Sequence, residues 1–177
     1  MQFNHYGGEA ARLAAGLVNT LPDADLVPVL RAHGVLRPAP DAAGVRELRR
    51  WAEQGLARCF GASGGRPLDG LALEERCAHV NALLATASTT PRISLHDGTP
   101  HLHYGPEDQD TVVHVKASTA AALAYVVCSA GAHRLGRCAR AGCDTAYVDT
   151  SRAGRRAYCS VRCANNDAVA RFRAKPA

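Results

Sequence analysis

Four of the chain's seven cysteines crowd into one short stretch: Cys138-x4-Cys143, fifteen further residues, then Cys159-x3-Cys163. Two close thiol pairs at that separation can converge on one tetrahedral Zn²⁺, and no other feature restricts the fold as strongly. A segment this small buries little apolar surface of its own, so metal binding has to supply much of its folding energy. The competing reading is two disulfides or four structural thiols. Met1 to Thr20 shows no basic leader followed by an apolar run and a small-residue cleavage site. A cytoplasmic location is therefore expected. There disulfides rarely persist, and one structural zinc bound by Cys138, Cys143, Cys159 and Cys163 is the expected outcome.

The residues between the pairs read as a hairpin. Thr145 to Asp149 forms one arm, Ser151-Arg152-Ala153-Gly154 a turn, and Arg155 to Tyr158 the returning arm. A helix over Val161–Arg173 follows, with Cys159 just before it and Cys163 in its first turn. Knuckle, hairpin and helix in that order make a treble-clef-like zinc finger over residues 134–177.

Charge is unevenly distributed. The formal net charge is +5, yet from Arg134 onward nine arginines and Lys175 face only Asp144, Asp149 and Asp167. That leaves the first 133 residues mildly acidic and the tail strongly basic, the footprint of a polyanionic partner. Four thiolates on Zn²⁺ remove two positive charges from the sum, so some of these arginines serve to neutralise the metal site. At about 100° per residue, Arg162, Asn166, Val169 and Arg173 share a narrow stripe of the last helix. Such a face suits a DNA major groove, where Arg reads guanine, Asn reads adenine and Val meets a thymine methyl. Arg152, Arg155 and Arg156 on the hairpin are positioned to hold phosphates. The plainer reading of the same residues is a solvated basic face.

Residues 1–133 read as α+β, mostly helical with a small antiparallel sheet. Helices are expected over Glu9 to Leu21, after Asp23 or Asp25, over Ala42 to Phe60 behind an Asp41 cap, and over Leu71 to Ser88. Asn19 and Thr20 read as a helix-ending cap or a pocket edge. Gly44 and Gly55 are expected to weaken the third helix slightly. Arg92 to Leu95 and His101 to Tyr104 flank Asp97-Gly98 as a β-hairpin, and Thr111 to Val115 reads as a third strand. Ser118 or Thr119 then caps a last helix running through His133. No apolar run approaches the ~18–20 residues that span a bilayer, so no membrane association is expected.

His101 and His103 alternate on their strand and face one side. Such a pair binds a metal or serves acid–base chemistry in a pocket; the plain alternative is a polar sheet face. Cys59, Cys77 and Cys128 fall on apolar helix faces and read as core residues. No phosphate-binding loop or nucleophile elbow appears, and an enzyme is the least favoured class.

Cys138-x4-Cys143, Tyr147-Val148-Asp149-Thr150-Ser151, Arg155-Arg156, Tyr158-Cys159-Ser160 and Cys163-Ala164-Asn165 together resemble the C-terminal finger of bacterial CGNR-type zinc-finger proteins. In that family an ABATE domain precedes the finger. Leu17-Val18-Asn19-Thr20-Leu21 resembles that domain's opening motif, and Pro100 to Tyr104 and Arg134-Leu135-Gly136 add weaker likeness. The resemblance implies a DNA-binding transcription regulator, with the N-terminal domain sensing a small molecule or forming a homodimer. A zinc-stabilised protein–protein adaptor is the alternative, and an enzyme with its site near His101/His103 the third. The name-giving Cys-Gly-Asn-Arg reads Cys163-Ala164-Asn165-Asn166 here, so one arginine of the family pattern is absent.

Overall fold

The computed structural model describes residues 5–61, 73–87, 91–95, 98–106 and 108–174. Helix α1 (His5–Asn19) buries Ala11, Leu13, Ala14 and Leu17. Asp25 accepts a hydrogen bond from the Val27 N–H ahead of α2 (Val27–Ala32), and Gly34 closes that short helix at φ 78°, with Val35 N donating to Leu30 O. Asp41 caps α3 (Ala42–Arg50), its side chain accepting from Gly44 N at 2.7 Å. The helix widens into a π-helical stretch, Trp51–Leu56, and ends as α4 (Ala57–Cys59). The glycines of this run permit close packing. A Cβ on Gly55 would lie 2.7 Å from Leu83, and one on Gly44 2.8 Å from Val112.

In helix α5 (Leu73–Thr86), Val80 and Leu83 are buried, Leu84 packs partly against the core and Leu73 is exposed. Arg76 also points inward. Its Nη1 donates to the carbonyls of Cys59, Ala132 and Leu135, satisfying a buried cation with main-chain oxygens. Strands β1 (Arg92–Ser94) and β2 (His101–His103) pair antiparallel, with Ser94 opposite His101. His96 and Asp97 of the expected turn, and residues 62–72 between α4 and α5, lie outside the described residues.

Thr111 to Val115 is not a third strand. It opens α6 (Thr111–Ala130), because Asp110 caps the helix by accepting from Val113 N at 2.9 Å. The β-branched Thr-Val-Val run imitates a strand locally, but the aspartate before it starts a helix. Ser118 and Thr119 therefore sit inside the helix rather than at its start. At 20 residues and mean hydropathy 1.4, α6 is long and apolar enough to cross a bilayer by length and composition. Here Val115, Ala120, Leu123 and Val126 pack in the core, chiefly against α1 and α5. Thr119 receives the Trp51 indole N–H at 3.1 Å, and Lys116 pairs with Glu47 at 2.7 Å.

Among the other cysteines, Cys59 is fully buried and burial pushes its thiol up to about 12, so it stays a neutral core residue. Cys77 is half-buried. Cys128 is exposed, contrary to the core placement expected of it.

After Gly131 and a 3₁₀ turn (Ala132–Arg134), β3 (Leu135–Arg137) pairs antiparallel with β4 (Ala146–Val148). The chain ends in α7 (Val161–Arg173). The C-terminal segment is docked rather than appended: Leu135, Ala146 and Val148 belong to the same hydrophobic cluster as the helices.

Candidate metal centre

The hairpin of the finger differs from the one expected between the cysteine pairs. Strand β4 pairs with β3, which precedes Cys138, so the first cysteine pair lies in the connection between the strands. Residues 155–158 form no strand. They dock through single contacts instead: Ala139 N to Ala157 O at 2.8 Å, Tyr147 Oη to Arg156 O at 2.6 Å, and Arg156 N to Asp149 Oδ2 at 2.9 Å. Charged Arg155 and Arg156 at that position leave no alternating face to bury, so isolated bonds replace a ladder.

Each cysteine is placed by its own local structure. Cys138 leaves β3 with its N–H on Thr145 O at 3.0 Å. Cys143 N bonds back to Arg140 O at 3.0 Å across a turn in which Gly142 takes φ 73°. Cys159 precedes α7. Cys163 sits in the first turn, where the Ser160 cap accepts its N–H at 3.2 Å. The Sγ atoms lie 3.8 Å (Cys143–Cys159), 3.5 Å (Cys159–Cys163) and 3.9 Å (Cys143–Cys163) apart, and all four ligand atoms fall within 4.8 Å of one another. A tetrahedron with Zn–S bonds of about 2.3 Å has edges of about 3.8 Å. The donor set therefore fits one structural Zn²⁺, and the two-disulfide alternative fails, since all seven cysteines are free.

The electrostatics suit a dication. The Thr145 hydroxyl, 3.3 Å from Cys143 Sγ, is the leading influence lowering that thiol to about 6. Burial pushes Cys159 up to about 12, so a bound cation is needed to ionise it alongside its neighbours. Arg140, half-buried in the knuckle, lies against Cys143 and Cys163, and these sulfurs raise its pKa above the ordinary arginine value. The expected neutralising arginine is thus Arg140, which sequence reading did not single out; its place between paired cysteines was the available signal.

Asp149 is buried and organises the loop. Burial alone would raise its pKa. Hydrogen bonds from Ser151 and Arg156, with Arg134 nearby, hold it below the ordinary value. Burial pushes Tyr147 up to about 12, keeping its phenol a donor. Tyr158 Oη donates to Asp167 Oδ2 at 2.7 Å, tying the loop to α7.

The residues expected to meet DNA divide into two groups. Arg152, Arg155, Arg162, Asn166 and Arg173 are exposed. Arg156 is also exposed, but its guanidinium bends back to the carbonyls of Tyr158 and Cys159 and stacks 5.5 Å over the Tyr147 ring. Along α7 only Cys163 is buried, with Ala164 and Asp167 half-buried. Arg171 pairs with Asp167 at 2.8 Å.

Asn19 proves to be neither a cap nor a pocket edge. Its Nδ2 donates to Ala146 O and its Oδ1 accepts from Ala146 N, both at 2.8 Å, clamping α1 to β4. Thr20 ends α1, donating to Gly16 O at 2.7 Å, and it also edges a pocket. That cleft, of about 260 Å³, opens beside this joint, lined by Leu17, Thr20, Leu48 and Ala52 with Arg137 and Asp144 of the finger. It is lined by residues other than His101 and His103, around which a pocket was expected.

Residues 134–176 match the CGNR zinc finger family. That match covers the finger and does not extend to the helical body. A search of curated proteins finds no match to the chain.

Proposed function

We propose that this zinc-finger protein is a DNA-binding transcription regulator whose finger makes the nucleic-acid contacts. The observation that carries this reading is the state of α7: a helix held by its first turn and by the Tyr158–Asp167 bond, largely exposed otherwise, and bearing Arg162, Asn166 and Arg173 on one side. Nothing in folding requires so bare a basic helix, and a groove or partner surface would bury it. Arg152 and Arg155 flank it as phosphate ligands. The N-terminal body, with the ABATE-like residues named above, acts as the sensing or dimerisation module. The cleft between that body and Arg137/Asp144 is where a small ligand would act on both parts.

The test is binding to random-sequence DNA at graded salt, with the zinc-loaded full chain. Each lost phosphate contact flattens the slope of log K against log salt by about 0.9. Arg155→Ala and Arg173→Ala should each do so, whereas Asn166→Ala should change sequence preference with little change in slope. An unchanged slope in the Arg155→Ala/Arg173→Ala double variant would reject the reading.

One observation favours the adaptor alternative. Val161, Val169 and Phe172 are exposed on α7, with Phe172 at 79%, and they lie within about 80° of one another beside the basic stripe. A protein groove would bury that edge of the helix. Phe172→Ala leaving DNA affinity intact while abolishing capture of a protein partner would shift the assignment.

A further inference from the structure

The β1–β2 hairpin inverts the usual pattern of a half-buried sheet. Ser94 and His101 are buried, while Ile93 and Leu102 beside them are exposed. A buried polar ring is stable only if both nitrogens are satisfied. In His101, Nδ1 lies 2.8 Å from Thr99 O and donates to it, which makes Nε2 the lone-pair nitrogen. That Nε2 is 3.0 Å from Nε2 of His103. The rings stand 4.9 Å apart and tilted by 50°, so they meet through these nitrogens rather than stack.

That spacing has a coordination meaning. With metal–nitrogen bonds of about 2.1 Å, ligands at right angles lie about 3.0 Å apart and tetrahedral ones about 3.4 Å. The backbone carbonyl on Nδ1 of His101 is the outer partner that orients a metal-binding imidazole. We infer that His101 and His103 form a second site, for a late divalent transition metal, built of imidazole rather than thiolate and distinct from the cysteine centre.

The surroundings define its character. Imidazole pairs hold a late divalent metal more weakly than four thiolates do, so this site exchanges its metal where the cysteine site retains it. His114 borders the pair; burial, then Arg37 and His103, pull it down to about 4, so it adds no charge at neutral pH. Its Nδ1 lies 3.4 Å from Gln109 Nε2, and Arg37 donates to Gln109 O at 2.6 Å. The nearby guanidinium opposes a bare dication and favours an anionic ligand completing the sphere.

The experiment uses untagged, zinc-loaded full-length protein titrated with nickel chloride, followed by calorimetry and elemental analysis. The expected result is one retained zinc and one additional nickel per chain. His103→Gln, at a half-exposed position, should weaken nickel binding at least about tenfold without moving the thermal transition or the zinc content. His101→Ala should abolish it. The inference is overturned if no nickel binds above the zinc content. It is equally overturned if nickel enters only as zinc leaves, or if His103→Gln binds nickel like the parent chain.

Discussion

At the scale of single residues, the finger is governed by side chains that never touch metal or solvent partner. Asn19 is the clearest. It reads the peptide of Ala146 as a neighbouring strand would, from the end of a helix. Asn19→Ala should cost about 1–3 kcal/mol, because both groups of a buried-strand peptide lose partners. Urea unfolding followed by the single Trp51 measures it, and a loss below about 0.5 kcal/mol would show that water replaces the clamp. Arg140 acts through a hydrogen bond to Cys143 first and through charge second. Arg140→Ala should speed zinc transfer to a competing chelator, while Arg140→Lys should restore only part of the retention, since it keeps the cation and loses the fork. Equal transfer rates in all three proteins would remove Arg140 from the account. Neither residue was legible beforehand: an Asn at a helix end reads as a cap, and one Arg among nineteen is not distinguished by its type.

At the scale of elements, α7 and α6 are opposites. Helix α7 has almost no tertiary packing, so its start matters more than its propensity. Ser160→Ala removes the oxygen that accepts Cys163 N and should cost about 1 kcal/mol of helix stability, loosening Cys163 with it. Helicity at 222 nm and the chelator transfer rate should fall together. A fall in helicity with zinc transfer unchanged would show that the metal alone holds the first turn. Helix α6 is the reverse case, a long helix whose length is hidden by β-branched residues at its start and revealed by one aspartate before them. Its 3.6-residue stripe was legible; its first two turns were not, because local preference and cap disagreed and the cap prevailed.

At the scale of the whole molecule, the finger and the helical body share one core. Leu135, Ala146 and Val148 pack with the helices, Arg76 ties Leu135 and Ala132 to Cys59, and Arg137 donates to Gly61 O at 3.0 Å. A metal centre with its own core would unfold alone. Here chelation of zinc should lower the unfolding midpoint reported by Trp51, which lies in the helical body and bonds to Thr119. Fluorescence and far-UV melts of parent and Cys163→Ala proteins, with and without chelator, read this directly. A Trp51 midpoint indifferent to chelation would mean that the shared cluster contributes little and that the finger folds independently.

What the sequence determined by itself was chemistry set by spacing and period. Two thiol pairs at short intervals admit one tetrahedral ion, Asp41 before an amphipathic run starts a helix, and His101 and His103 two residues apart share a face. Each of these depends on neighbours within a few residues, which the chain order specifies. What only the tertiary structure decided was pairing across distance. Strand β4 chose β3 over the returning loop, Arg76 found three carbonyls from distant segments, and Asn19 found Ala146 across 127 positions. Those choices follow from satisfying every buried polar group at once, a condition on the whole molecule that no local window contains.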